Sequence, residues 1–105
     1  MNIRMEYLYR DAGNYKNWGE VVFSNPTCIP IKRVKQLVGD ALFERQFFNA
    51  NLAGLPDIHF TECSVELDHG WHEFHGLAET EDSPNDSAGR GVEQLIECLK
   101  VRQLI

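Results

Sequence analysis

All four histidines of the chain, His59, His69, His72 and His75, fall in a short stretch that also carries Asp57, Glu62, Glu66, Asp68 and Glu73. Imidazole and carboxylate are the usual ligands of zinc and similar ions, so this is where ligating chemistry is densest. The H-x-x-H-x-x-H spacing of His69, His72 and His75 would bring three imidazoles to one side of a helix, but Gly70 and Gly76 argue against a helix there. In a strand His72 points away from His69 and His75. His69, His72, Glu73 and His75 are therefore the metal candidates, for a zinc-type ion that nothing else in the sequence requires. No H-e-x-x-H type motif supports them, and cross-strand polar pairs with a histidine-bearing turn are the simpler reading.

Cys63 near His75 has the types of a nucleophile and its base, yet neither a third orienting group nor an oxyanion site can be argued from the spacing. A partly buried thiol is the commoner outcome. There is no G-x-S-x-G, no Walker loop and no G-x-G-x-x-G, and Gly89-Arg90-Gly91 is too short to cradle a phosphate. The balance is against an enzyme. Lys32, Arg33 and Lys35 stand in the first turns of an expected helix, where the dipole disfavours cations and an added anion would be attracted. They are the anion candidates, set against the plain alternative of solvated side chains.

The remaining chemistry is aromatic. Tyr7, Tyr9, Tyr15, Trp18, Phe23, Trp71 and Phe74 belong to two expected hairpins, with Phe47 and Phe48 between them. Tyr15 and Trp18, in and after the first turn, do not easily both enter a core. Exposed aromatics beside Arg10 and Lys16 are what binding surfaces favour. Tyr9, Arg10, Tyr15, Lys16, Trp18 and Trp71 are thus the candidates for protein contact; the alternative is that the aromatics fold back over the sheet edge.

Four elements have to position these groups. Ile3, Met5, Tyr7 and Tyr9 alternate with Arg4, Glu6, Leu8 and Arg10, the period of a half-buried strand. Asp11 to Asn14 supply turn chemistry, Glu20 to Phe23 resume the strand, and Asn25-Pro26 stop it. Pro30 suits the first position of a helix, and Ile31, Val34, Leu37, Val38, Ala41 and Leu42 form an apolar stripe running to about Glu44. Residues 47–52 fit a last helical turn, a short strand or a packed loop. A second hairpin is expected from 60–67 and 71–80, turning at Asp68-His69-Gly70. The last helix should start between Ser87 and Gly91, capped by Asp86 or Ser87, and bury Val92, Leu95, Ile96 and Leu99. The fold class is α+β, in the order ββαββα. Two hairpins make an antiparallel sheet of about four strands, with both helices on one face, in a single domain over residues 1–105.

Composition narrows the setting. A net charge of −6 argues against general nucleic-acid binding. The three cysteines, Cys28, Cys63 and Cys98, are widely spaced and form no C-x-x-C pair, so a disulfide framework is not expected and a reducing compartment is. No signal peptide and no membrane-length apolar run is visible, which makes the cytoplasm the expected location.

Two stretches, Tyr9-Arg10-Asp11-x-x-Asn14-Tyr15-Lys16 and Trp71-His72-Glu73-Phe74, resemble a group of small bacterial proteins of about this length that have no assigned activity. The resemblance implies a bacterial cytoplasmic source and carries over no activity, cofactor or site residue. The sequence as a whole points to a non-enzymatic domain that works through a protein partner or self-association, with metal or anion binding as the alternative.

Overall fold

The computed structural model describes residues 1–10, 13–58 and 71–102. Strands β1 (Asn2–Arg10) and β2 (Lys16–Phe23) form the expected antiparallel hairpin, in a register that runs from Ile3 opposite Phe23 to Arg10 opposite Lys16. Asn14 takes a left-handed φ of 67° in the turn, a conformation Asn tolerates better than most residues. Helix α1 (Ile31–Ala41) leads to a short strand β3 (Phe47–Asn49) and a single helical turn α2 (Ala50–Ala53). Strand β4 (Trp71–Thr80) and helix α3 (Val92–Arg102) complete the described chain. The strands form one antiparallel sheet in the order β2-β1-β4-β3. The fold is α+β.

One face of the sheet carries the core. Alternation along β1 and β2 delivers Ile3, Met5, Tyr7, Val21 and Phe23 to that side, with Leu77 from β4 and Phe48 from β3. Both long helices cover it with their apolar stripes: Val34, Val38 and Leu42 from α1 and its end, and Val92, Leu95, Ile96 and Leu99 from α3. No described helix is long and apolar enough to cross a membrane.

Three boundaries differ from the sequence reading. Helix α1 ends at Ala41 rather than near Glu44, because Leu42 is already extended and bonds its N–H back to the carbonyl of Gly39. Glu44 and Arg45 then both adopt left-handed φ values, 52° and 61°, and turn the chain tightly into β3. Pro30 occupies the cap position just outside α1, where its carbonyl accepts from the N–H of Val34. Helix α3 begins at Val92 and is capped by neither Asp86 nor Ser87. Gln94 reaches back to accept from the N–H of Gly91, half of a capping box. The fourth strand is residues 47–49, one of the options for that stretch. The expected strand at 60–67 lies outside the described residues.

Asp86 has another task. Its carboxylate accepts from Arg90 Nε and Nη2, each at 2.9 Å, and from the backbone N–H of Arg90. The guanidinium then donates to the carbonyls of Ala53 (2.6 Å) and Gly54 (3.0 Å) and stands over the ring of Phe23. Gly54 has a φ of +72° and the guanidinium lies against it, so a side chain there would be strained and crowded at once. The Asp86 side chain is 1% exposed and that of Arg90 11%, which makes the pair a nearly dry clamp.

Removing one member of such a pair leaves an uncompensated buried charge, and Arg90→Ala should destabilise the protein by about 3 kcal/mol in urea unfolding at neutral pH. The hydrogen bonds from Arg90 hold the Asp86 carboxyl below the usual carboxylate range, against the opposing effect of burial. The folded state therefore binds this proton less readily than the unfolded chain. The contribution is present above the unfolded carboxylate pKa of about 4 and is lost as pH falls through the folded value. Wild-type stability should fall with this added acid slope, and the Arg90→Ala protein should show a shallower one.

Candidate protein-contact surface

The helix-free face of the sheet is built from the other half of the strand alternation. Arg4, Glu6, Leu8 and Arg10 of β1 lie opposite Val22, Glu20, Trp18 and Lys16 of β2. Glu6 and Glu20 are direct cross-strand neighbours of like charge, an unfavourable pairing by itself. Arg4 offsets it, with Nε 3.2 Å from Glu6 and 3.7 Å from Glu20. Arg10 forks onto Glu73 of β4 at 2.9 and 3.3 Å and also donates to Asn14, so it ties the first turn to the neighbouring strand. That fork raises the guanidinium pKa further above its ordinary value. Leu8 sits between Trp18 and Glu73 and is buried even on this face.

A bulge in β4 sets which of its residues appear here. Glu6 pairs with Gly76 and Tyr7 with Phe74, which leaves His75 as the extra residue. The bulge shifts the alternation by one, so that Phe74 and Leu77, three apart, both contribute to the core. His75 is left exposed, and its ring meets that of Trp18 edge-on at 4.9 Å. The two rings come from the strands on either side of β1 and bridge across it. A hollow of about 540 Å³ opens beside them, lined by Glu6, Trp18, Gly19 and Glu20. At the far side of the sheet Phe43 stacks on Trp71 at 5.3 Å. Tyr15, Trp18, Phe43 and Trp71 stay 73%, 54%, 53% and 39% exposed.

The outer edge of β2 adds backbone to this surface. Val22 turns its N–H and carbonyl outward, where both bond Asn85. Residues two apart along a strand point their backbone groups the same way, so those of Lys16, Trp18 and Glu20 also face outward. The loop that carries Asn85 covers the edge only from Val22 onward; no described residue pairs with the backbone edge at Trp18 or Glu20. On the core side Asn17 donates to the carbonyl of Ile58, and Gly19 leaves room for Tyr7 and Ile58, both of which a Cβ would meet at 3.2 Å. The strand is thereby braced from within.

The other candidates are scattered. Tyr9, expected at the surface, is fully buried on the helix side, 5.3 Å from the ring of His72. It offers no contact surface in this fold, because β1 is an inner strand whose odd-numbered residues all face the core. His72 is 1% exposed among Tyr7, Tyr9 and Phe48, and its Nε2 accepts from the N–H of Ile58 at 3.1 Å, with Asp57 3.4 Å from the same nitrogen. Burial first, and the charge of Asp57 second, push the Tyr7 phenol up to about 12, so it remains a donor to the carbonyl of Pro56.

Of the metal candidates, His72 therefore lies inside the core, while Glu73 is engaged by Arg10 and His75 by Trp18 on the opposite face. His69 and Cys63 lie outside the described residues. Among the described residues no three His, Cys, Asp or Glu side chains are close enough to hold a metal ion. Lys32, Arg33 and Lys35 are exposed on the first turns of α1, which carry no acidic residue, and Arg33 donates to Gln36. Phe43 was not foreseen at the surface. It directly follows the apolar stripe of α1, and only the left-handed turn at Glu44 and Arg45, invisible to side-chain periodicity, throws it outward.

No protein-family model matches the chain, and no curated protein or solved structure is detectably similar to it.

The placement of the two neighbouring histidines on opposite faces has a direct readout. His72→Ala should destabilise the protein by about 2–4 kcal/mol, as a large-to-small change in a packed core does. His75→Ala should stay within about 0.5 kcal/mol of wild type in the same denaturation, as a surface substitution does.

Proposed function

We propose that this chain is a small non-enzymatic domain that acts through protein contact in the cytoplasm, engaging a protein partner or another copy of itself. The observation that carries this reading is Trp18. It is 54% exposed on an edge strand, its ring already meets that of His75, and no described residue pairs with the outward backbone beside it. Tryptophan, tyrosine and arginine are the residues that dominate interface energetics. Here Trp18 and Tyr15 stand near Arg10, whose fork to Glu73 fixes it in place before any partner arrives. Phe43 and Trp71 extend the aromatic surface across the sheet. The cytoplasmic setting is supported by the free thiols of Cys28 and Cys98, of which Cys28 is exposed.

The test is native mass spectrometry on protein purified gently from its own host, for wild type and for the Tyr15→Ala, Trp18→Ala double variant. Wild type should carry a second chain, identical or different, and the double variant should lose it with little change in thermal midpoint. A double variant that keeps its partner but loses more than about 2 kcal/mol of stability would mark these aromatics as structural and overturn the reading.

A further inference from the structure

The open stretch of β2 has a symmetry that selects one occupant. Its outward-facing residues are Lys16, Trp18 and Glu20, bounded on one side by the turn at Asn14 and on the other by Val22, which Asn85 already claims. Trp18 is the midpoint of that stretch, and Lys16 and Glu20 carry opposite charges at equal distances from it. We propose that the partner at this edge is a second copy of the same chain, added antiparallel so that Trp18 meets its counterpart on a two-fold axis. This rests on the protein-contact reading above and specifies its partner.

The register follows from counting what each alternative engages. Antiparallel pairing with Trp18 opposite its counterpart places Lys16 of each copy opposite Glu20 of the other. All the outward backbone groups of the open stretch are then used, in pairs that exchange both N–H···O=C bonds. Sliding by one pair toward the turn sets Lys16 against Trp18 and leaves Glu20 unpaired. Sliding further sets lysine against lysine, and sliding the other way ends with glutamate against glutamate, both of which repel. The register centred on Trp18 is the one that satisfies every hydrogen bond and both ion pairs.

The surroundings agree. Lys16, Trp18 and Glu20 are exposed and their side chains share the helix-free face, so no helix has to move. Glu20 is held only at 3.7 Å by Arg4 and is 61% exposed, which leaves it able to accept a lysine. The net charge of −6 opposes association at long range, but physiological salt screens charges beyond about 8 Å and acts less on pairs in contact. Lysine on an edge strand ordinarily discourages edge pairing; in this register it meets a glutamate.

Charge exchange tests the proposal without disturbing the core. Sedimentation equilibrium over a concentration series should show wild type passing from monomer to dimer. Lys16→Glu and Glu20→Lys should each weaken the dimer about tenfold or more, since each replaces attraction with repulsion at both symmetric pairs. The double variant Lys16→Glu, Glu20→Lys should recover dimerisation. An equimolar mixture of the two single variants should form a heterodimer more readily than either alone associates. Circular dichroism confirms that each variant is folded.

A wild-type dimer indifferent to these exchanges would overturn the edge register while leaving the protein-contact reading in place. A wild-type monomer at every concentration would overturn self-pairing. The broader reading then survives only if a complex with a different chain, sensitive to the Tyr15→Ala, Trp18→Ala variant, is found.

Discussion

The guanidinium of Arg90 stands where separate parts of the chain converge, and few of them would keep their places without it. Asp86 fixes its position, the carbonyls of Ala53 and Gly54 receive its hydrogen bonds, and the ring of Phe23 lies beneath it. Through this one group the end of α2, the end of β2 and the approach to α3 are held together. Hydrogen bonds to a charged group are worth more than neutral ones, and burial protects them from water. The clamp also anchors the loop that carries Asn85. The point at which the β2 edge becomes covered thus lies beside this salt bridge, since Asp86 follows Asn85 and Phe23 follows Val22 in the chain.

The second organising constraint is the bulge at His75. A strand with strict alternation cannot send His72, Phe74 and Leu77 all to one face, because the last interval is three residues rather than two. Inserting His75 as an unpaired residue resolves this and places an imidazole on the helix-free side, against Trp18. The same irregularity thus completes the core and decorates the opposite surface. His72 and His75 stand three apart and so face opposite sides of β4, the first in the core and the second against Trp18.

Much of the fold was legible because it is written in local periodicity. The alternation from Ile3 to Tyr9 and the stripes at Val34 to Leu42 and Val92 to Leu99 each describe one element and its buried side. What periodicity cannot carry is backbone sign and pairing. The left-handed residues Glu44 and Arg45 have no glycine to announce them, so periodicity extends α1 past its end at Ala41 and gives no sign that Phe43 is exposed. Phe47 to Asn49 pairs with β4 as a strand too short to show alternation, which is why that stretch also fits a helical turn or a loop; the strand expected at 60–67 lies outside the described residues. For the site, the exposure of Tyr15 and Trp18 followed from their position at the first turn. Tyr9 shares the parity of Ile3, Met5 and Tyr7, so the alternation that identifies the strand also argues against its place among the contact candidates, and it is buried.

The two outer edges of the sheet are finished in different ways, and this bears on how far any assembly can grow. On β3 the chain folds back on itself, and Phe43 and Phe47 exchange backbone hydrogen bonds that a visiting strand would need. On β2 only the stretch before Val22 is open. A strand joined there, as proposed above, would find no equivalent open stretch among the described residues of β3 from which to continue. On that pairing, growth of the sheet would stop after one addition, and the end state would be a closed, countable particle rather than a fibre.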